Sequence, residues 1–369
     1  MRVELFDKYE FFTGVPDSLL RPLCDWLMST KGISKNHIIA ANEGNAVGLA
    51  AGYHLATGEV PVVYMQNSGL GNTINPVASL TNPQIYGIPM LFIIGWRGEP
   101  GMPDEPQHIY QGKMTSNLLD IAGIQSFIID KSTSENEFID MEAKFANVFK
   151  QGCSGAYVIR KNALEYDKKV NYENNYSLLR EKAVRLIIDA SEGDIIVSTT
   201  GKTSRELYEL RCEDNHNHEC DFLAVGSMGH CSSIAMGIAM HRLGRRVWVI
   251  DGDGAAIMHM GAMATIGASG LSNLVHIVLN NASHESVGGM PTVAGKVDLC
   301  KIAEGCGYSL IKHAHDEISL SRALGDISNK RDLCFLEIKT AVGSRPGLGR
   351  PLTPIIKLKE QFMEFITKE

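Results

Sequence analysis

Two apolar runs that each stop at a potential ligand constrain this chain more than any other feature. Val247-Trp248-Val249-Ile250 breaks into Asp251-Gly252-Asp253-Gly254, and the run Leu274 to Leu279 ends at Asn280-Asn281. Between them lies a stretch rich in Ala, Met and Gly that reads as a helix. Strand, helix, strand in that order makes a crossover unit, which sets the strands parallel and brings both C-terminal ends to one sheet edge. Sites in open α/β sheets form at such edges. One carboxylate, one amide and nearby carbonyls make an oxygen donor set that suits Mg²⁺ when a phosphate-bearing ligand completes its shell. A lone Gly-Asp-Gly would be an ordinary tight turn. The second strand, ending in Asn-Asn at this spacing, makes the pattern specific.

The rest of the chain has room for a second half. At 369 residues it exceeds the size at which one core usually stops growing, so two domains are expected. A hydrophobic fraction of 44% and a charged fraction of 21% belong to a folded protein and not to a disordered one. The formal net charge of -7 offers no broad basic surface, so no nucleic-acid partner is expected. Acidic residues break the apolar run at the N-terminus, which therefore does not read as a signal peptide, and no apolar segment reaches membrane-spanning length. The eight scattered cysteines fit reduced thiols, and a cytoplasmic location with no membrane partner is expected.

Taken in order, the chain alternates strand-like and helix-like segments throughout. Residues 1 to 28 read as a docking helix around a break at Gly14-Val15-Pro16, with Asp17 or Ser18 placed to cap a helix from Leu19 to Met28. A short strand from His37 to Ala41 runs into Asn42-Glu43-Gly44-Asn45. The small-residue helix that follows, Ala46 to Ala56, is expected to pack closely on both sides. Glu43 stands at the strand-to-helix junction, where the helix field favours a carboxylate. Strands are expected at Val60–Met65, Pro89–Gly95, Ser126–Ile129 and Gly155–Ile159, with helices at Lys113–Ala122 and Glu135–Phe149. The Gly- and Pro-rich stretch from Gly95 to His108 reads as a rigid loop. Residues 166–176 lack apolar periodicity and read as a linker between a domain at 1–165 and another at 177–369.

Beyond the linker, Ser177–Asp189 reads as a helix and Asp194–Ser198 as a strand. Gly201-Lys202-Thr203 lacks the upstream glycine of a phosphate-binding loop. Cys212, His216, His218 and Cys220 do not have a standard zinc spacing and read as part of an exposed polar loop. A strand at Phe222–Val225 leads to Gly226-Ser227-Met228-Gly229-His230 and a second small-residue helix, Ser233–Arg242. After Asn281, helices are expected at Val297–Cys306 and Glu317–Ser328, and a last strand at Leu333–Lys339. The expected class is α/β, with two doubly wound, mostly parallel sheets and no close sequence repeat between the halves.

With Asn42-Glu43-Gly44, Gln66-Asn67-Ser68-Gly69, Asp104-Glu105-Pro106-Gln107-His108, Gly226-Ser227-Met228-Gly229-His230, Gly252-Asp253-Gly254, Asn280-Asn281 and His284-Glu285-Ser286-Val287-Gly288-Gly289 in view, the chain resembles the two-domain thiamine-diphosphate-dependent decarboxylases. Within them it is most similar to the group acting on phosphonopyruvate and sulfopyruvate. The resemblance covers nearly the whole chain and implies the thiamine-diphosphate-binding fold in both halves, the first binding the aminopyrimidine and the second the diphosphate. It implies thiamine diphosphate and Mg²⁺ as cofactors, and a homo-oligomer with active sites between subunits. Glu43 then matches the carboxylate on the pyrimidine ring. Asp253 and Asn281 match the metal ligands, with the carbonyl of Ser283 as the third and Asn280 as the neighbour should the register slip by one. Met228 matches the apolar prop under the cofactor and Gly226 the carbonyl beside its amino group. Ser227, Gly252 and Gly254 complete the cofactor-binding set.

The reaction so implied is decarboxylation of a small 2-oxo acid, with the cofactor carrying the hard step. His108 and His284, in polar loops at strand ends, are candidates for proton transfer. A phosphonate substrate calls for cations or N–H donors, for which Arg97, Lys113, Arg345 and Arg350 are the candidates. Decarboxylation of phosphonopyruvate is the leading expectation and of sulfopyruvate the nearest alternative. A carboligating synthase or transferase and a non-catalytic α/β binding protein are the other readings.

Overall fold

Near-continuous apolar runs, as in Val62-Val63-Tyr64-Met65 and Leu91-Phe92-Ile93-Ile94, signal strands covered on both faces, and these residues are fully buried. The computed structural model describes residues 1–368. The chain divides into two compact units, one comprising Met1–Asn171 with Val287–Met290, the other Tyr172–Ser286 with Pro291–Glu369. The division after Asn171 falls inside the stretch read as a linker. The return of Val287–Met290 to the first unit lies beyond any division made along the sequence.

In the first unit the strands are β1 (Phe12–Gly14), β2 (His37–Ile39), β3 (Val62–Gln66), β4 (Leu91–Gly95), β5 (Gln125–Ile129) and β6 (Gly155–Ile159). They pair in the order β2-β1-β3-β4-β6-β5, each pairing parallel. The second unit contains β7 (Ile195–Ser198), β8 (Asp221–Leu223), β9 (Val247–Gly252), β10 (Leu274–Asn280), β11 (Leu310–Ala314) and β12 (Cys334–Lys339). Its order is β8-β7-β9-β10-β12-β11, again all parallel. Numbered within its own unit, each sheet has the same order. The two halves thus repeat a topology that their sequences conceal. Each sheet changes its direction of growth beside its first strand, between β1 and β3 and between β7 and β9, and binding crevices open at such switch points.

The core of the second unit follows from strand alternation. Trp248, Ile250, Val275, Ile277 and Leu279 face one hydrophobic layer, while Val247, Val249, Leu274 and Val278 face the other. Helices cover both faces, so neither face tolerates a polar run.

Several boundaries differ from the sequence reading. Phe12–Gly14 is a strand and not part of a docking helix; with three residues held between β2 and β3, it is too short to announce itself by periodicity. A Cβ on Gly14 would lie 2.0 Å from the carbonyl oxygen of Tyr64, so the close strand contact requires glycine. The next helix runs Arg21–Thr30, begins with Pro22 in its first turn, and has no side-chain cap from Asp17 or Ser18. The helix expected at Lys113 starts instead at Pro106, which places His108 in its first turn and out of the loop. Edge strand β11 and the last helix, Ile355–Thr367, were not anticipated; β11 is half-covered and lacks a clean apolar run. The helix Glu43–Thr57 buries only one side, through Ala46, Val47, Ala50 and Ala51. Gly48 and Gly52 meet nothing within 4 Å, so the expected packing on both sides does not occur within this chain.

Candidate active site

Glu43 is the first residue of its helix. Asn42 caps that helix by accepting the Asn45 N–H at 2.9 Å, and Gly58 ends it in a left-handed conformation. The carboxylate is buried, and Asn72 Nδ2 donates to its Oε2 at 2.7 Å. Gly69 walls the other oxygen, since a Cβ there would lie 2.4 Å from Glu43 Oε1. Nearby, at the β1/β3 switch point, the buried Asp17 accepts Gln66 Nε2 at 2.7 Å. Burial raises the Asp17 pKa, opposed by that hydrogen bond and by the charge of Arg97.

At the end of β9, Asp253 opens the short helix Asp253–Met258 and is buried. Thr292 Oγ1 donates to its Oδ2 at 2.7 Å. Burial pushes the carboxyl up to about 6, against the Thr292 hydroxyl and the backbone N–H groups of Gly254, Ser283 and Ala282 turned toward it. Asp253 therefore adjoins the turn that follows β10. In that turn the Ser283 N–H donates to Asn281 Oδ1 at 3.0 Å. Asn280 Oδ1 accepts the Ala282 N–H of the same turn at 2.9 Å, while its Nδ2 donates to Glu337 Oε1 at 2.7 Å and to the Ala294 carbonyl at 3.2 Å. Both asparagines accept an N–H of the turn, and they differ in where the NH₂ goes: Asn280 to Glu337 and Ala294, Asn281 to Glu285. The groups reaching Asp253 are a hydroxyl and N–H dipoles, not a side-chain cation, and a buried carboxylate so placed is under-compensated. A divalent cation with oxygen ligands fits that deficit.

The glycine-rich turn after β8 adds the next layer. Gly226, Ser227 and Gly229 all have left-handed φ values, 71°, 47° and 84°. Ser227 is the costly one, because a side chain disfavours that region. The Gly226 N–H donates to Thr200 Oγ1 at 3.0 Å, tying the turn to the end of β7. A Cβ on Gly254 would stand 3.2 Å from His284 Cε1 and 3.4 Å from Met228 Cε. Met228, Gly254 and His284 therefore converge above the start of the Asp253 helix. His284 is half-buried, and burial lowers its pKa to about 4, so the ring is neutral at pH 7.

Known proteins with similar sequences align with both halves. The N-terminal thiamine pyrophosphate (TPP)-binding domain of thiamine pyrophosphate enzymes matches residues 7–121, and the C-terminal TPP-binding domain matches residues 200–338. A phosphonopyruvate decarboxylase of Streptomyces viridochromogenes is 35% identical over 96% of this chain and 90% of its own length. The chain belongs to the phosphonopyruvate decarboxylase family. A second such relative, from Streptomyces hygroscopicus, is 32% identical over 96% of this chain and 90% of its own length. A sulfopyruvate decarboxylase of Methanosarcina acetivorans is 26% identical over 87% of each chain.

For this member of the phosphonopyruvate decarboxylase family, the cation candidates are not equivalent. Arg97 is held by Asp104, through Nε at 2.8 Å and Nη2 at 2.6 Å. Burial opposes ionisation of Asp104, but Arg97 and the N–H groups of Glu105 and Gly98 outweigh it and hold the carboxyl well below the usual range. Arg345 is ringed by Glu181, Glu209 and Glu213. Lys113 and Arg350 are exposed, and His108 is half-buried.

Several residues take supporting roles that the sequence reading did not assign, although Gly69 and Glu285 stand in motifs it singled out. They are Asn72 and Gly69 around Glu43, Thr292 on Asp253, and Glu285, which accepts Asn281 Nδ2 at 2.9 Å. For Asn72 the available signal was an asparagine within a helix, where that residue type is disfavoured.

Proposed function

We propose that this chain decarboxylates 3-phosphonopyruvate to phosphonoacetaldehyde and carbon dioxide, using thiamine diphosphate and Mg²⁺. The observation that carries this reading is the 35% and 32% identity to two phosphonopyruvate decarboxylases over 96% of the chain, against 26% over 87% for the sulfopyruvate decarboxylase. When bound, thiamine diphosphate supplies the electron sink that lets a 2-oxo acid lose carbon dioxide. Asp253, Asn281 and the carbonyl of Ser283 hold the Mg²⁺. What supports this is the buried, under-compensated carboxylate beside the Asn281 turn. Gly226, Ser227, Met228, Gly252 and Gly254 bind the cofactor. The glycines allow close approach, and Met228 gives an apolar contact.

Glu43 would face the pyrimidine of the cofactor, and its carboxyl would hold or release a proton there. The amide of Asn72 and the wall at Gly69 limit how far that carboxylate can swing. His284, neutral at pH 7, and His108 carry protons to and from the substrate. Arg97, Lys113, Arg345 and Arg350 are the cations for the phosphonate. Those already paired with carboxylates would have to exchange partners or act through a shared network. The chain works as a homo-oligomer in which a second copy completes each site. In support, Gly48, Gly52 and Gly237 meet nothing within 4 Å, and Leu49, Leu55 and Met240 are exposed along the same two helices. Among the described residues, no helix is long and apolar enough to cross a membrane. A cytoplasmic location belongs to the same reading, supported by cysteines that form no disulfide.

The test is carbon dioxide release by the purified protein with thiamine diphosphate and Mg²⁺ on phosphonopyruvate, sulfopyruvate and pyruvate, side by side. Fast release from phosphonopyruvate alone is expected. Preference for sulfopyruvate would reassign the substrate, and silence on all three with cofactor bound would remove the decarboxylase reading for these acids.

A further inference from the structure

We infer that Glu285 is a positioning residue that fixes the orientation of the Asn281 amide, presenting its oxygen to the metal. This rests on the Mg²⁺ reading above. An asparagine side chain can present either its oxygen or its NH₂ group, and only the oxygen ligates a cation. Glu285 Oε2 accepts Asn281 Nδ2 at 2.9 Å, and an ionised carboxylate accepts but cannot donate. The flipped amide would set oxygen against oxygen. With Nδ2 so committed, Asn281 Oδ1 receives the Ser283 N–H at 3.0 Å and keeps a second lone pair for a metal.

Glu285 is itself anchored on both oxygens. Lys202 Nζ donates to Oε1 at 2.6 Å and Arg180 Nη1 to Oε2 at 2.8 Å. Arg180 is held in turn by Glu206, through Nε at 2.7 Å and Nη2 at 2.8 Å. The side chains of Arg180, Glu206 and Glu285 are 7%, 0% and 9% exposed. Two cations and two carboxylates cancel, so the cluster tolerates burial, and each member restricts the next. Losing a ligand-orienting partner of this kind typically costs about 10–100-fold in metal affinity.

The experiment is calorimetric titration of Mn²⁺ into the full-length protein at saturating thiamine diphosphate. It compares the wild type, Glu285→Ala, Asn281→Ala and the double variant, with the fold checked by circular dichroism. Glu285→Ala is expected to raise the metal Kd roughly 10–100-fold. The double variant is expected to lose no more than Asn281→Ala alone, because both changes remove one ligand contact. Glu285→Gln retains an acceptor oxygen and is expected to recover part of the loss; it replaces the alanine variant in the cycle should the latter not fold. Wild-type affinity in a folded Glu285→Ala variant overturns the inference. So do losses that multiply in the double variant, which would mean action independent of Asn281. If Asn281→Ala itself leaves metal affinity unchanged, the metal reading fails instead.

Discussion

The two units repeat one strand order yet treat their key carboxylates in opposite ways. In the first, Glu43 follows β2, receives a single amide from Asn72 and is hemmed in by a glycine. In the second, Asp253 follows β9 and is surrounded by a hydroxyl and three backbone N–H groups. On the proposed reading, a carboxylate given one neutral donor at a fixed spot keeps an oxygen for proton exchange with a ligand. On the same proposed reading, one ringed by dipoles is left to be balanced by a metal. The same topology thus provides a scaffold, and the donors that loops bring to each strand end decide the chemistry.

The largest effect is expected at Glu43. Glu43→Gln should keep the fold and reduce turnover by roughly 10²–10⁴-fold, the range for loss of a positioned acid or base. Carbon dioxide release checks it, and full activity would erase the functional contrast between the units. Next come the glycines beside the two sites. Gly69→Ala would place a Cβ 2.4 Å from Glu43 Oε1, and a displacement of that size should cost on the order of 10²-fold in kcat/KM. Gly254→Ala meets its nearest neighbour, His284 Cε1, at 3.2 Å and should cost far less. Equal losses would show that the first site is no tighter than the second.

A smaller effect concerns acid. His37, buried in the first unit between the Gly32 carbonyl and the Tyr64 hydroxyl, has its pKa lowered by burial to about 4. A lowered histidine pKa stabilises the neutral fold above pH 6.5, and that stability disappears as pH falls from 6.5 through 4. The contribution is about 3 kcal/mol at most. In His37→Gln, the slope of unfolding free energy against pH over that window should flatten by about one proton, measured by urea denaturation. An unchanged slope would assign the acid limb to groups elsewhere. The smallest effect separates the adjacent asparagines. Asn280→Ala should destabilise by about 1–3 kcal/mol through the partners it leaves at Glu337 and Ala294, with less loss of metal affinity than Asn281→Ala. The reverse ranking would move the metal ligand by one residue.

Much of this was legible in the order of residues. Apolar runs fixed by burial on both faces announced most of the strands, and Gly252-Asp253-Gly254 with Asn280-Asn281 marked one strand-end site, because strand periodicity and turn chemistry are local properties. Short β1 and half-exposed β11 were not legible, since three residues or one covered face leave no period to read. Nor were the partners of the site residues: Asn72 lies 29 positions from Glu43, and Thr292 lies 39 from Asp253. Arg180 and Glu285 stand 105 apart. Sequence alone determined which polar side chains stand at which strand ends. Only the tertiary structure decided what partner each asparagine's NH₂ took, which cations were already spent on carboxylates, and what restrains Glu43 and Asp253. Those outcomes depend on hydrogen bonds and burial among groups that the fold brings together, and no local rule encodes their distance.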